Sequence, residues 1–222
     1  MLLAAALAAA QVAPVPPDAL AHAQAEALIA GLDEQLLATR SATATLGEWC
    51  AAHKLAADPT IVAVADHGPP VAPTPEQRAH LGIGADEAVS YRRVRLMCGG
   101  HVLSVAENWF VPARLDPAMV TALGSTDTPF GRVIASLKPS RQTLSAERLW
   151  HPVPAGWEQR SASPVARRCE AVPAELLRHR ALVLDGKGRP LAEVVETYQR
   201  DMLAFPTPWA RRAALRCATG RR

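Results

Sequence analysis

The segment Ser90–Pro112, SYRRVRLMCGGHVLSVAENWFVP, leaves this chain little freedom. Two strand-like runs, 89–98 and 101–111, flank Gly99-Gly100. Adjacent glycines supply the positive φ angles that a two-residue hairpin turn requires. A second unit of this kind lies further on, where 180–185 and 190–203 flank Asp185-Gly186-Lys187-Gly188. Residues 59–66, PTIVAVAD, offer another strand. Hairpins impose antiparallel pairing, and the strands do not alternate regularly with helices. The expected fold class is therefore α+β with a single antiparallel sheet flanked by helices.

The helices carry their own punctuation. Ala21, Ala25, Leu28, Leu32 and Leu36 recur at helical spacing and predict a helix over 18–39. The Ser41 hydroxyl is placed to cap a second one. Thr74-Pro75, Asp116-Pro117, Thr128-Pro129 and Thr207-Pro208 each set a capping oxygen before a proline, which is tolerated at the first helical position. These pairs predict short helices at 75–82, 117–123, 129–137 and 208–217, with Gly124 and Gly220 suited to helix ends. Residues 66–75 read as a loop. A leader and spacer over 1–17 followed by a single domain over 18–222 is the expected organisation.

Bulk properties exclude some classes. The 222 residues are 49% hydrophobic and 20% charged, which suits a globular chain with a core. A net charge of +3 without a basic stripe gives no support to nucleic-acid binding. No apolar run is long enough to cross a bilayer. The start, MLLAAALAAAQ, is uncharged, and Ala8 and Ala10 offer a small-residue cleavage pattern, yet no Lys or Arg precedes Arg40. The expectation is a periplasmic or otherwise exported protein, with the cytoplasm as the alternative. Cys50, Cys98, Cys169 and Cys217 lack metal-ligand spacing. Four cysteines allow three pairings. Cys169–Cys217 is the expected bridge, because it would tether the C-terminal tail, and buried thiols are the alternative. The seven histidines show no HxH or HExxH spacing, so no metal site is expected. No GxSxG elbow is present, GIGADE follows no strong strand, and the five tryptophans suit packing.

Two sets of residues are candidates for chemistry. In the first hairpin Val94, Leu96 and Cys98 point to one face, and Tyr91, Arg93, Arg95 and Met97 to the other. Arg93 is either part of a solvated face or a clamp that binds a carboxylate through two parallel hydrogen bonds. In the last hairpin Ala192, Val194, Glu196 and Tyr198 share a face, and Leu191, Glu193, Val195 and Thr197 share the other. Glu196 and Glu193 both have apolar neighbours. A buried carboxyl group there would suit proton transfer.

In order along the chain, SATATLGEW (41–49), the Arg-bearing hairpin ending in Val111-Pro112, LGSTDTPFGRVI (123–134), LKPSRQT (137–143) and RPLAEVVETY (189–198) resemble the motifs of the chorismate lyase family. The resemblance covers roughly 20–203. It implies one antiparallel sheet with helices covering one side, an enclosed pocket, and elimination of pyruvate from chorismate to give 4-hydroxybenzoate without cofactor or metal. By motif position it implies Arg93 as the carboxylate-binding arginine and Glu196 as the proton donor to the leaving group. It puts Phe130 at the ligand through its backbone amide, Ser41 and Thr43 beside the pocket, and Arg141, on the strand that follows, among the substrate-binding residues. The closing segment carries one extra residue between Pro190 and Glu196, which keeps Glu193 as an alternative. The stretch 150–173 is an insertion, read as a lid or a loop pinned by Cys169. The ligand-sensing UTRA domain of GntR-type regulators is similar in its hairpins and implies the alternative function, a non-catalytic, monomeric binder of a small carboxylate.

Overall fold

In a computed structural model of the chain, residues 17–66, 68–153, 155–157 and 172–206 are described. Gly99 has φ 54°, and a Cβ there would sit 2.8 Å from the Ala56 Cβ. The turn thus needs glycine both for its backbone angle and for the close approach of the loop after α2. It joins β2 (Ser90–Cys98) to β3 (His101–Phe110). β1 (Ile61–Ala65) pairs with β2, and β4 (Ser140–Arg148), β5 (Glu175–Leu184) and β6 (Pro190–Gln199) complete one sheet of order β1-β2-β3-β6-β5-β4. Every pairing is antiparallel.

Register aligns one face across the whole sheet. Val94 opposes Ala106, and Ala106 opposes Glu196. Glu196 opposes His179, and Val183 opposes Arg141. The long helices α1 (Pro17–Ala38) and α2 (Ala42–His53) cover this face. Ile29, Leu32, Leu36, Leu46 and Trp49 pack on Val94, Leu96, Leu177 and Tyr198. The Trp49 indole N–H donates to the Met202 carbonyl at 2.8 Å, so the ring is buried with its polar edge satisfied. The same face holds α4 (Pro117–Ser125) and α5 (Phe130–Val133), where Leu123, Phe130 and Ile134 meet Phe110, Ala181 and Val194.

The helix α3 (Pro75–Leu81) lies on the opposite face, against β6, where Leu81 packs with Val111 and Leu182. Helices therefore cover both faces, which corrects the one-sided covering implied by the resemblance. The α3 start is a complete capping box: Thr74 Oγ1 accepts from the Gln77 amide at 3.2 Å, and Gln77 Oε1 accepts from the Thr74 amide at 2.8 Å. The other Xaa-Pro starts are simpler. Asp116 makes no side-chain cap bond, and α5 is capped by Pro129 rather than Thr128. The helix read over 129–137 is broken into α5 and a 3-10 turn, Ala135–Leu137, and Gly124 lies inside α4. The helix read over 208–217, the leader and most of the 150–173 insertion lie outside the described residues.

A disulfide joins Cys50 of α2 to Cys98 of β2, both fully buried. The Cys169–Cys217 bridge read from the sequence lies outside the described residues. No described helix is long and apolar enough to cross a membrane.

Candidate functional site

A cavity of about 70 Å³ opens between the start of α2 and the covered sheet face. Its floor is Val94 and Leu96 of β2, Ala106 and Asn108 of β3, Val183 of β5, and Val194 and Glu196 of β6. These residues meet because alternate residues of adjacent antiparallel strands point the same way. The rim and roof come from Arg40 to Thr43, Phe130, Gly131 and Ile134, and Arg141 of β4 closes one side.

The roof is polar for reasons written in the local chain. Ser41 leaves the helical conformation at φ −143° and accepts the Ala44 amide on its Oγ at 3.3 Å. The Ala42 and Thr43 amides belong to the first turn of α2, which has no intrahelical acceptors and carries partial positive charge. Gly131 lies close by: a Cβ on it would stand 3.7 Å from Ser41 Oγ and 3.9 Å from Thr43 Oγ1.

The charged centre is a trio. Arg141 Nη1 donates to Glu196 Oε2 at 2.5 Å, and the Tyr198 hydroxyl donates to the same oxygen at 3.2 Å. The Arg141 and Glu196 side chains are 7% and 8% exposed. Burial opposes the Arg141 charge, but the Glu196 carboxylate and Tyr198 outweigh it and hold its pKa above the arginine norm. Burial first, and then Glu196, push the Tyr198 phenol well above its ordinary range, so it stays a donor. Arg141 Nε and Nη2 are buried with no partner among the described residues. These two N–H groups form one edge of the guanidinium, the edge that takes a carboxylate through two parallel bonds.

Five of the six residues singled out from the sequence therefore meet at one cavity: Ser41, Thr43, Phe130, Arg141 and Glu196. Arg93 does not. It lies on the opposite sheet face, 44% exposed, paired with Asp66 at 3.2 Å. The structure thus sets Arg93 apart from the cavity that gathers the other five. Glu193 is also separated from Glu196. It is fully buried beneath α3, with His80 Nδ1 at 2.8 Å and Arg180 Nε at 2.5 Å.

Three residues at or near the cavity escaped the sequence. Arg40 and Asn108 line it. Arg92 shares the floor face with Val94, and its Nη2 donates to the Thr126 and Thr128 carbonyls at 3.2 and 3.1 Å. It thereby holds the loop that delivers Phe130 and Gly131. The alternation that groups Val94, Leu96 and Cys98 would have found it, extended by one step toward the N-terminus. Among the described residues no group of His, Cys, Asp and Glu could hold a metal ion.

No protein-family model matches the chain. Among solved structures it is similar to PhnF from Mycobacterium smegmatis, at 12% identity and TM-score 0.48, covering 77% of this chain and 68% of that one. It is similar at 16% identity and TM-score 0.41 to the ligand-binding domain of a Bordetella bronchiseptica protein assigned to the GntR-family transcriptional regulators, covering 64% of this chain and 83% of that one. YydK from Bacillus subtilis, described as a possible transcriptional regulator, matches at 16% identity and TM-score 0.41 over 66% of this chain, which spans 62% of YydK. In sequence the chain is 40% identical over 196 residues to the uncharacterized protein y4mC of Sinorhizobium fredii, covering 87% of this chain and 82% of that protein. With that identity over most of both lengths, the chain belongs to the family of y4mC.

Proposed function

We propose that this protein is a non-catalytic binder of a small carboxylate, held at Arg141. The observation that carries this reading is the buried guanidinium edge, Nε and Nη2, without a partner among the described residues. An unsatisfied buried donor costs about 1–3 kcal/mol, more when charged, so an anion supplying two acceptors recovers that free energy on binding. The first turn of α2 adds positive potential on the roof of the same cavity.

Size favours binding over chorismate elimination. The cavity of about 70 Å³ is a small fraction of the roughly 300–1,000 Å³ that encloses drug-sized ligands. Glu196 Oε2 already accepts from both Arg141 and Tyr198. A lyase reading keeps one observation in its favour, the presence of Glu196 beside Arg141 in the cavity.

One experiment separates the two. The wild type, Arg141→Gln and Arg93→Ala are titrated with propionate in thermal unfolding, and wild type is incubated with chorismate. Propionate is expected to raise the melting temperature of wild type and Arg93→Ala, and not of Arg141→Gln, with no product from chorismate above spontaneous decay. Equal stabilisation of Arg141→Gln refutes the binding site. Release of 4-hydroxybenzoate and pyruvate that Glu196→Gln abolishes decides for the lyase.

The buried Cys50–Cys98 disulfide supports an oxidising compartment, since such bridges persist outside the reducing cytosol. It favours export, to the periplasm or beyond. Alkylation of thiols in intact cells before fractionation tests this, and free Cys50 and Cys98 in the native protein would refute it.

A further inference from the structure

The cavity presents acceptors as well as donors, and they lie side by side. Glu196 Oε2 is engaged by Arg141 and Tyr198, but Oε1 makes no hydrogen bond among the described residues. The Asn108 amide is oriented by its Nδ2, which donates to the Arg92 carbonyl at 3.4 Å, and Oδ1 makes no hydrogen bond among the described residues. Both residues line the cavity, and neither oxygen is sealed from solvent. Asn108 and Glu196 are diagonal neighbours on β3 and β6, since Ala106 opposes Glu196 and Asn108 opposes Val194. Diagonal positions of this kind stand about 7–8 Å apart and let polar side chains converge.

A plain carboxylate would satisfy the Arg141 edge and leave these two acceptors without a donor. Because Arg141 Nη1 is only 2.5 Å from the Glu196 carboxylate, the donor that meets Glu196 must sit next to the ligand's own carboxylate. The cavity of about 70 Å³ suits a small acid, for which three-carbon acids serve as probes. Resting on the carboxylate-binding reading above, we infer that the ligand is a short 2-hydroxy or 2-amino carboxylate. Its carboxylate lies on the Arg141 Nε–Nη2 edge, and its hydroxyl or ammonium donates to Glu196 Oε1 and Asn108 Oδ1.

Calorimetric titration of the full chain with propionate, lactate and alanine tests this. The three share a carbon skeleton and differ in the donor at the second carbon. Lactate or alanine is expected to bind about tenfold or more tightly than propionate, the effect of one hydrogen bond to a charged acceptor. The tighter of the two identifies the donor as hydroxyl or ammonium. Asn108→Leu, which leaves the Arg141–Glu196 pair in place, is expected to narrow that gap. Equal affinity for all three acids overturns the inference while leaving the carboxylate site intact. Failure of all three to bind overturns both.

Discussion

Replacing both Cys50 and Cys98 with alanine should cost the fold about 4 kcal/mol. The bridge closes a loop with a sequence separation of 48 residues, which contains the end of α2, β1, α3 and most of β2. In the chain-entropy account, cross-linking a loop of that length removes about 13–14 cal/mol/K from the unfolded ensemble, or about 4 kcal/mol at 25 °C. Both side chains are fully buried, so loss of packing adds to the destabilisation. The assay is urea unfolding of the oxidised wild type and the double variant, followed by far-UV circular dichroism. With a slope of about 2 kcal/mol/M, the midpoint should fall by about 2 M. The slope itself should rise, because the uncrosslinked chain exposes more surface on unfolding. A midpoint within about 0.5 M of wild type, or wild-type protein that yields free Cys50 and Cys98 thiols on denaturing alkylation, would refute the reasoning.

The Arg141–Glu196 pair should behave non-additively: Arg141→Met or Glu196→Leu alone strands a buried charge and costs about 3–5 kcal/mol, and the double variant recovers most of it, as a double-mutant cycle in chemical denaturation would show. Gly99→Ala forces a side chain into a positive φ and against Ala56, and its melting temperature should fall by an amount corresponding to about 1–3 kcal/mol. Burial holds His53 below its ordinary pKa of 6.5, where it stacks on Phe205 at 4.0 Å. The unfolded chain therefore takes up this proton more readily than the folded one. Stability from His53 is complete above pH 6.5 and is lost as pH falls through the lowered folded value, so unfolding midpoints should drop across that range less in His53→Gln than in wild type.

The hairpins and helix starts were legible because each is fixed by neighbours in sequence. Gly99-Gly100 placed β2 and β3 to within a residue, and Ser41 and Thr74 placed the starts of α2 and α3. The strand β4 left no hydrophobic alternation, because it lies at the sheet edge with most of its side chains exposed, and motif resemblance alone pointed to it. A shift of one residue moves a side chain to the other face, and alternation from Val94 sets Arg92 on the cavity side of β2 and Arg93 on the other. Alternation set Glu193 and Glu196 on opposite faces, but both have apolar neighbours, and which face holds the cavity became visible only with α3 placed over Glu193. The Cys50–Cys98 bridge depends on α2 lying over β2, a long-range packing fact with no local trace.

The position of Arg141 has a consequence for how occupancy is felt. It projects from an edge strand of the sheet, which has one neighbouring strand among the described residues, while Glu196 sits on a strand paired on both sides. Amides along such a margin exchange with solvent through small local openings, and those of β3 and β6 through much larger ones. A ligand gripping Arg141 would slow deuterium uptake most along β4, far more than at the strands beneath the cavity floor.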